Sequence, residues 1–335
     1  MGEETMTGSI VNDSRYPEFD VMVAGGGMAG VSAAIAAART GARTVLVDKA
    51  GWLGGMGITG ATGIHSFFNI YLPQPGLPEG TERRKVVGGI AEELIQRVRT
   101  LNGGIGHVRM ERGGDFVSML TPVEPEVFKY AAALTVLGSG ARMLLHTVVD
   151  EVRATDKHID GVVVWNKAGR SLIRAKTYVD CTGDGDLAAY GGAEWVGFKA
   201  GEPGSYQAGF TFRLVNVDLA ALVVDLEKRG LVTQLTRAVK PFTTEPDIVR
   251  LGINLRDFKD EPDAPGGMLS CSLRPREITY CNCINYGPND GLDPDALTDA
   301  ETARAGKRLR LWDHEGRLCG GTALRRRGWR FFLHR

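Results

Sequence analysis

Three glycines, Gly25, Gly27 and Gly30, followed by a carboxylate at Asp48, make the pattern in this chain best suited to chemistry. In Gly-x-Gly-x-x-Gly the first glycine permits a tight turn, and the second lets a pyrophosphate approach bare backbone. The third allows a helix to pack closely, here with Ala29, Ala33 and Ala34 beside it. A helix that starts at such a loop presents free N–H groups and the positive end of its dipole to phosphate. Asp48 lies 23 residues after Gly25, with Lys49 behind it. There a carboxylate can accept from two ribose hydroxyls.

The pattern alone also fits a ligand-free strand–helix turn, so the flanking elements decide. Residues 21–24 read as a short buried strand, 31–40 as an Ala-rich helix stopped at Gly41, and 44–47 as a second buried strand. Such a unit requires a right-handed crossover and a parallel sheet. With it in place, dinucleotide binding is the expectation.

Two more glycine-bearing stretches belong with the first. Gly54 and Gly55 come six residues after Asp48, then Gly57 and Gly60. A nicotinamide-binding fold usually enters another crossover helix at this point. A glycine doublet suits a chain passing beside an extended FAD, a flexible surface loop being the other reading. Later, Thr182, Gly183, Asp184 and Gly185 follow a strand ending in Val179-Asp180-Cys181. They bring backbone and a carboxylate to the carboxyl end of the sheet, where α/β proteins bind ligands. Val149, on the strand pattern between these stretches, completes the expected cofactor-binding set.

The elements that must position these residues follow from periodicity. Residues 51–89 are Gly- and Pro-rich and read as irregular chain over a site. Residues 90–101 form an amphipathic helix with Glu92 and Glu93 in its first turn and Arg97 and Arg99 in its last. A helix opens at Pro125 and runs to Gly138. From Met143 the period falls towards two, and 144–152, 161–165 and 171–179 read as three strands, the last two joined by a hairpin turn at 166–169. The expected fold is α/β: a Rossmann-like parallel sheet with a β-meander, plus a second, mixed α+β substrate domain. The expected limits are 1–18 disordered, 19–204 the cofactor domain, 205–310 a partial substrate or cap domain, and 311–335 an irregular basic tail.

Composition narrows the class. At 335 residues the chain can bury two domain cores. Lys+Arg and Asp+Glu both number 40, so no global field attracts nucleic acid or a membrane surface. Forty-five glycines are about twice the usual share, as many tight turns require. The five cysteines are scattered and odd in number, which points to a reducing compartment, the cytoplasm, rather than a disulfide framework. No uncharged apolar run approaches the length of a membrane span. No zinc pattern is evident.

The stretches 20–60, 88–94 and 178–186, with Pro125-Glu126 and more weakly 295–308, resemble the FAD-dependent oxidoreductases of the glutathione-reductase-like fold. The resemblance is greatest to the group that shares a flavin domain with the flavin-bearing component of heterodisulfide reductase, and more distant to fumarate reductase flavoproteins. It implies FAD as cofactor, a small-molecule substrate, and a separate electron donor or acceptor. An iron–sulfur cluster would follow from family analogy only, because Cys281-x-Cys283 lacks the usual C-x2-C spacing. Fumarate reductase flavoproteins attach flavin through a His before their glycine doublet, whereas His65 lies after it here. Family members continue beyond the equivalent of this C-terminus, so a truncated or frameshifted end is expected, a genuine basic, aromatic tail being the alternative.

The expected activity is hydride transfer between a small organic substrate and flavin N5. An NAD(P)-dependent dehydrogenase and a non-catalytic flavin-binding remnant or partner protein are the alternatives. No catalytic residue is assigned. His65 and His107 are candidates for proton transfer, and Arg112, Arg213, Arg274 and Arg276 for holding a substrate carboxylate.

Overall fold

A computed structural model describes residues 11–59, 64–65, 86–110, 119–197, 208–215, 217–237, 249–254, 268–274, 277–286, 295 and 298. The chain begins with β1 (Phe19–Ala24), α1 (Met28–Arg39), β2 (Thr44–Val47) and β3 (Ile64–His65). There follow α2 (Ile90–Thr100), β4 (Val108–Arg109), β5 (Met119–Pro122), α3 (Pro125–Gly138) and β6 (Arg142–Leu144). Next come β7 (Val148–Thr155), β8 (His158–Asn166), β9 (Gly169–Ile173), β10 (Ala175–Asp180) and α4 (Asp186–Tyr190). The last described elements are β11 (Ala208–Val215), α5 (Leu219–Lys228), β12 (Val232–Arg237), β13 (Val249–Ile253), β14 (Met268–Arg274) and β15 (Glu277–Tyr286). They divide into two compact units, each assembled from separated stretches: residues 1–57, 89–101 and 126–196, and residues 58–88, 102–125 and 197–335.

The first unit is built on a parallel sheet in the order β10-β1-β2-β6. Residues 44–47 are all buried and read as a continuous apolar run, as a strand covered on both faces should. The small residues of α1 let it lie close on the sheet, burying Gly30, Val31, Ala34 and Ile35. α2 is tied to α1 by a bidentate pair in which Arg39 donates to both oxygens of Glu93 at 2.7 Å. The other face carries the antiparallel meander β7-β8-β9. Met22, Ala24, Val45 and Val47 share one core with Val162, Val164, Ile173 and Leu187. At the amino ends of the strands Asp20 accepts from the Arg43 N–H at 2.9 Å and pairs with Lys176 at 2.8 Å. Hydrogen bonds from Lys176 and Arg43 hold its carboxyl well below the usual carboxylate range.

Two of the three strands expected after Met143 are each two strands. The run 144–152 breaks at residues 145–147: Leu144 ends β6 in the parallel sheet, and Val148 opens β7 in the meander. His146 takes a left-handed conformation, φ 52°, at the break. The run 171–179 breaks at Arg174, between β9 and β10. Alternation reports which face of a strand is buried but not which sheet it joins, so it passes through both corners. Order also reaches back before Phe19. The Asn12 N–H donates to Arg170 O at 3.0 Å, and Asn12 O accepts from Leu172 N at 3.1 Å, so this segment pairs along the meander edge. Backbone pairing of this kind needs no apolar signal.

The second unit holds a five-stranded antiparallel sheet, β11-β15-β14-β13-β12, and a three-stranded sheet, β3-β5-β4. α5 is capped by Asp218, whose Oδ1 accepts from Ala221 N at 3.0 Å, and it buries Leu219, Leu222, Val223 and Leu226. Helix and antiparallel sheet are thus mixed in this unit. The boundary expected at 204–205 and the tail at 311–335 lie outside the described residues. Among the described residues no helix is long and apolar enough to cross a membrane.

Candidate functional site

In the parallel sheet Ala24 of β1 is paired with Val47 of β2 on one side and with Asp180 of β10 on the other. The next residue of each strand therefore opens a turn at the same edge: Gly25, Asp48 and Cys181. Three stretches far apart in sequence are brought together by this register alone. Backbone bonds lock the arrangement, Gly25 N to Val47 O at 2.7 Å and Cys181 N to Ala24 O at 2.7 Å.

The three fingerprint glycines differ in kind. Gly25 has φ 99°, and a Cβ there would strike the Cys181 carbonyl. A Cβ on Gly30 would strike the carbonyl of Gly25. Both are demanded by the protein itself. Gly27 is different: among the described residues a Cβ would find nothing nearer than Gly55 Cα at 3.9 Å, and they leave the space in front of Gly27 open. Gly27 is also the N-cap of α1, which has no side-chain cap and no acidic residue in its first turn. The N–H groups of Met28, Ala29 and Gly30 are those that an α-helix leaves without an internal partner, and the positive dipole end has no carboxylate in that turn to offset it.

Asp48 closes one side. Its Oδ2 accepts from Gly26 N, and its Oδ1 accepts from Ala50 N at 2.6 Å. A carboxylate has about four lone-pair positions, so two bonds leave capacity for hydroxyl donors. The glycine doublet lies on the fingerprint loop: Gly54 N donates to Gly26 O at 2.9 Å, and a Cβ on Gly55 would stand 2.8 Å from Gly27 Cα. Close backbone approach, rather than flexibility, is what these glycines provide. The corner at 145–147 supports the same edge, with Thr147 N donating to Asp48 O at 2.9 Å and His146 N to Ala50 O at 3.1 Å. Val149 follows that corner, pairs with Val164 and packs on the core. Lys49 is exposed.

The third turn is organised by a residue absent from the expected set. Asp180 Oδ1 accepts from the Thr182 N–H at 3.0 Å and from its hydroxyl at 2.7 Å, while Oδ2 accepts from Ala188 N at 2.8 Å. The Thr182 hydroxyl in turn accepts from Asp186 N at 2.9 Å. Burial pushes the Asp180 carboxyl up, but these hydrogen bonds outweigh it and hold the group below its ordinary value. Burial, with the Asp180 charge beside it, pushes the Cys181 thiol up, away from the thiolate form. Gly183 and Asp184 are exposed. A carboxylate at the end of a strand, two residues before a threonine, is the sequence signal for such a local turn.

The candidates for substrate chemistry lie in the second unit. His107 Nδ1 is 2.7 Å from the hydroxyl of the buried Thr121, and His65 is paired with Thr121 across β3 and β5. Arg213 donates to Glu124 at 3.0 Å, with side chains 21% and 13% exposed, so its guanidinium is already serving a carboxylate of the protein. Arg274 ends β14 opposite Glu277. Arg112 and Arg276 lie outside the described residues. Among the described residues no group of three or more His, Cys, Asp or Glu side chains is placed to hold a metal ion.

Residues 20–317 match the family model described as FAD dependent oxidoreductase. Among solved structures the chain is similar to a geranylgeranyl bacteriochlorophyll reductase-like protein from Thermoplasma acidophilum, with TM-score 0.50 and 15% identity over 89% of this chain and 62% of that one. It is also similar to the myxobacterial chondrochloren halogenase CndH, with TM-score 0.44 and 14% identity over 88% of this chain and 57% of that one. The chain thus spans about three fifths of the length of these structures. No curated protein matches it in sequence.

Proposed function

The chain belongs to the FAD dependent oxidoreductase family, and on that footing we propose that it binds FAD non-covalently at the edge formed by Gly25, Asp48 and Cys181. We propose further that it exchanges hydride between a small organic substrate and the flavin. The observation that carries the reading is the face of Gly27, open among the described residues, at the uncapped start of α1, next to Gly26, whose N–H donates to Asp48. A cradle that an added side chain would fill, lined by N–H groups, suits a pyrophosphate.

Each group then has a task. The N–H groups at the start of α1 face the pyrophosphate, and the spare lone pairs of Asp48 accept from ribose. Gly54 and Gly55 keep side chains away from the passing cofactor. Thr182, Gly183, Asp184 and Gly185 offer backbone and a carboxylate from the third strand. When bound, FAD supplies hydride exchange at N5 of its isoalloxazine ring, with electrons passing to a separate partner. For substrate chemistry His107, whose ring bonds Thr121, is the candidate acid or base, and Arg274 is a candidate to hold an anion. The scattered cysteines favour a reducing compartment, the cytoplasm. Within the family, the stretches 20–60 and 178–186 support kinship with the flavin domain of heterodisulfide reductase.

The test is to purify the chain, release any bound cofactor by heat, and identify it by chromatography and mass. FAD is expected, with a flavin absorbance spectrum bleached by dithionite. Release of a nicotinamide dinucleotide, or failure of the apoprotein to bind added FAD, would overturn the reading.

A further inference from the structure

Asp180 bonds the third turn at two points and the helix that follows it at a third, and it is not a residue of the expected set. We propose that Asp180 is a positioning residue for the cofactor site, holding the Thr182–Gly185 turn in its binding shape through the Thr182 hydroxyl. The proposal rests on the FAD reading above and deepens it.

The geometry is a relay. Asp180 is fixed by its pairing with Ala24, one residue before Gly25. Its Oδ1 takes both the N–H and the hydroxyl proton of Thr182. That hydroxyl, having donated inward, has its lone pairs free and accepts from Asp186 N at 2.9 Å. Oδ2 reaches past the turn to Ala188 N. The turn is thus anchored at its start by Thr182 and at its end by Asp186 and Ala188. Gly183, Asp184 and Gly185 are held between the anchors, with both glycines in left-handed conformations at φ 95° and 77°. Glycine at φ above zero carries the largest entropy cost of ordering. A turn with two such residues is therefore poorly ordered unless its ends are fixed. A pre-ordered turn loses less entropy when a ligand docks on it, so fixed ends appear as affinity. A neutral amide at position 180 offers one acceptor oxygen in place of two and cannot serve both anchors.

The experiment titrates apoprotein with FAD, following flavin fluorescence and the visible absorbance bands, for wild type, Asp180→Asn, Thr182→Val and Thr182→Ser. Asp180→Asn and Thr182→Val should weaken FAD binding about tenfold or more, the loss expected for charge-assisted hydrogen bonds. Their bound flavin should show bands closer to those of free FAD. Thr182→Ser keeps the hydroxyl relay and should restore both affinity and spectrum, which a merely bulky or β-branched contribution to stability would not explain. Should Asp180→Asn fail to fold, the Thr182 pair decides alone. Wild-type affinity and spectrum in Thr182→Val, or equal impairment in Thr182→Ser, would overturn the proposal. Failure of the wild-type chain to bind FAD overturns the cofactor reading, and this inference with it. Normal wild-type binding with unaffected variants overturns this inference alone.

Discussion

Gly25 packs directly against the backbone of Cys181, so that a Cβ on Gly25 would strike the Cys181 carbonyl oxygen and stand 2.8 Å from Thr182 Cα. The first fingerprint glycine and the start of the 182–185 turn are one packed unit. Gly25→Ala should therefore destabilise the protein itself, by about 2–4 kcal/mol, through a backbone clash combined with a left-handed φ. Gly30→Ala should do likewise, because its Cβ would meet the Gly25 carbonyl. Chemical denaturation of the apoproteins checks both; wild-type midpoints would contradict the packing described.

Gly27→Ala is expected to part stability from binding. Among the described residues its Cβ would touch nothing closer than 3.9 Å, so the apoprotein should unfold within about 0.5 kcal/mol of wild type. FAD binding should be abolished or gravely weakened, since the methyl group occupies the space left for pyrophosphate. Flavin content after purification and a thermal melt measure the two effects separately. Stoichiometric flavin in this variant would remove the fingerprint loop from the site.

Asp48→Ala should affect both quantities. Gly26 N and Ala50 N lose their acceptor, at a cost of about 1–3 kcal/mol in stability. On the proposed reading the ribose also loses its acceptor, and flavin affinity should fall about tenfold or more. Asp48→Asn, which keeps one acceptor oxygen, should fall between. An unchanged dissociation constant in Asp48→Ala would place the ribose elsewhere.

Acid should reveal the Asp180 network. The folded-state value of this carboxyl is depressed below its ordinary 3.8. Its stabilising contribution is therefore complete above the unfolded value and is lost as pH falls through the lower folded value. The stability gap between wild type and Asp180→Asn should be constant from about pH 7 to pH 5 and should shrink below about pH 4. Urea unfolding at stepped pH measures it. A gap that widens on acidification would contradict the hydrogen-bonded carboxylate.

In the second unit, the Arg213–Glu124 pair is mostly out of water, so removing one partner leaves a charge behind. A double-mutant cycle with Arg213→Met and Glu124→Gln should give a coupling of about 1–3 kcal/mol. A coupling near zero would return Arg213 to the pool of groups able to hold a substrate carboxylate.

The sequence by itself determined the elements whose signals are local. The strand at 44–47, the helix from Pro125 to Gly138 and the helix opening at residue 90 follow from apolar period, first-turn residues and glycine stops, and the structure has them at those limits within a residue. The fingerprint glycines and Asp48 were equally legible, because turn geometry and spacing along one crossover are short-range properties. Only the tertiary structure decided where the strands after Met143 belong. Leu144 and Val148 stand in different sheets although one alternation runs through both, and the left-handed turn at His146 that separates them has no glycine to announce it. Tertiary structure also decided that Gly27 is open whereas Gly25 and Gly30 are filled. At Gly25 the crowding depends on the Ala24–Asp180 register, a contact between residues 156 positions apart that no local pattern encodes. The same register gave Asp180 its place: a strand-end carboxylate holds the 182–185 turn next to Gly25 only once its strand is paired beside β1.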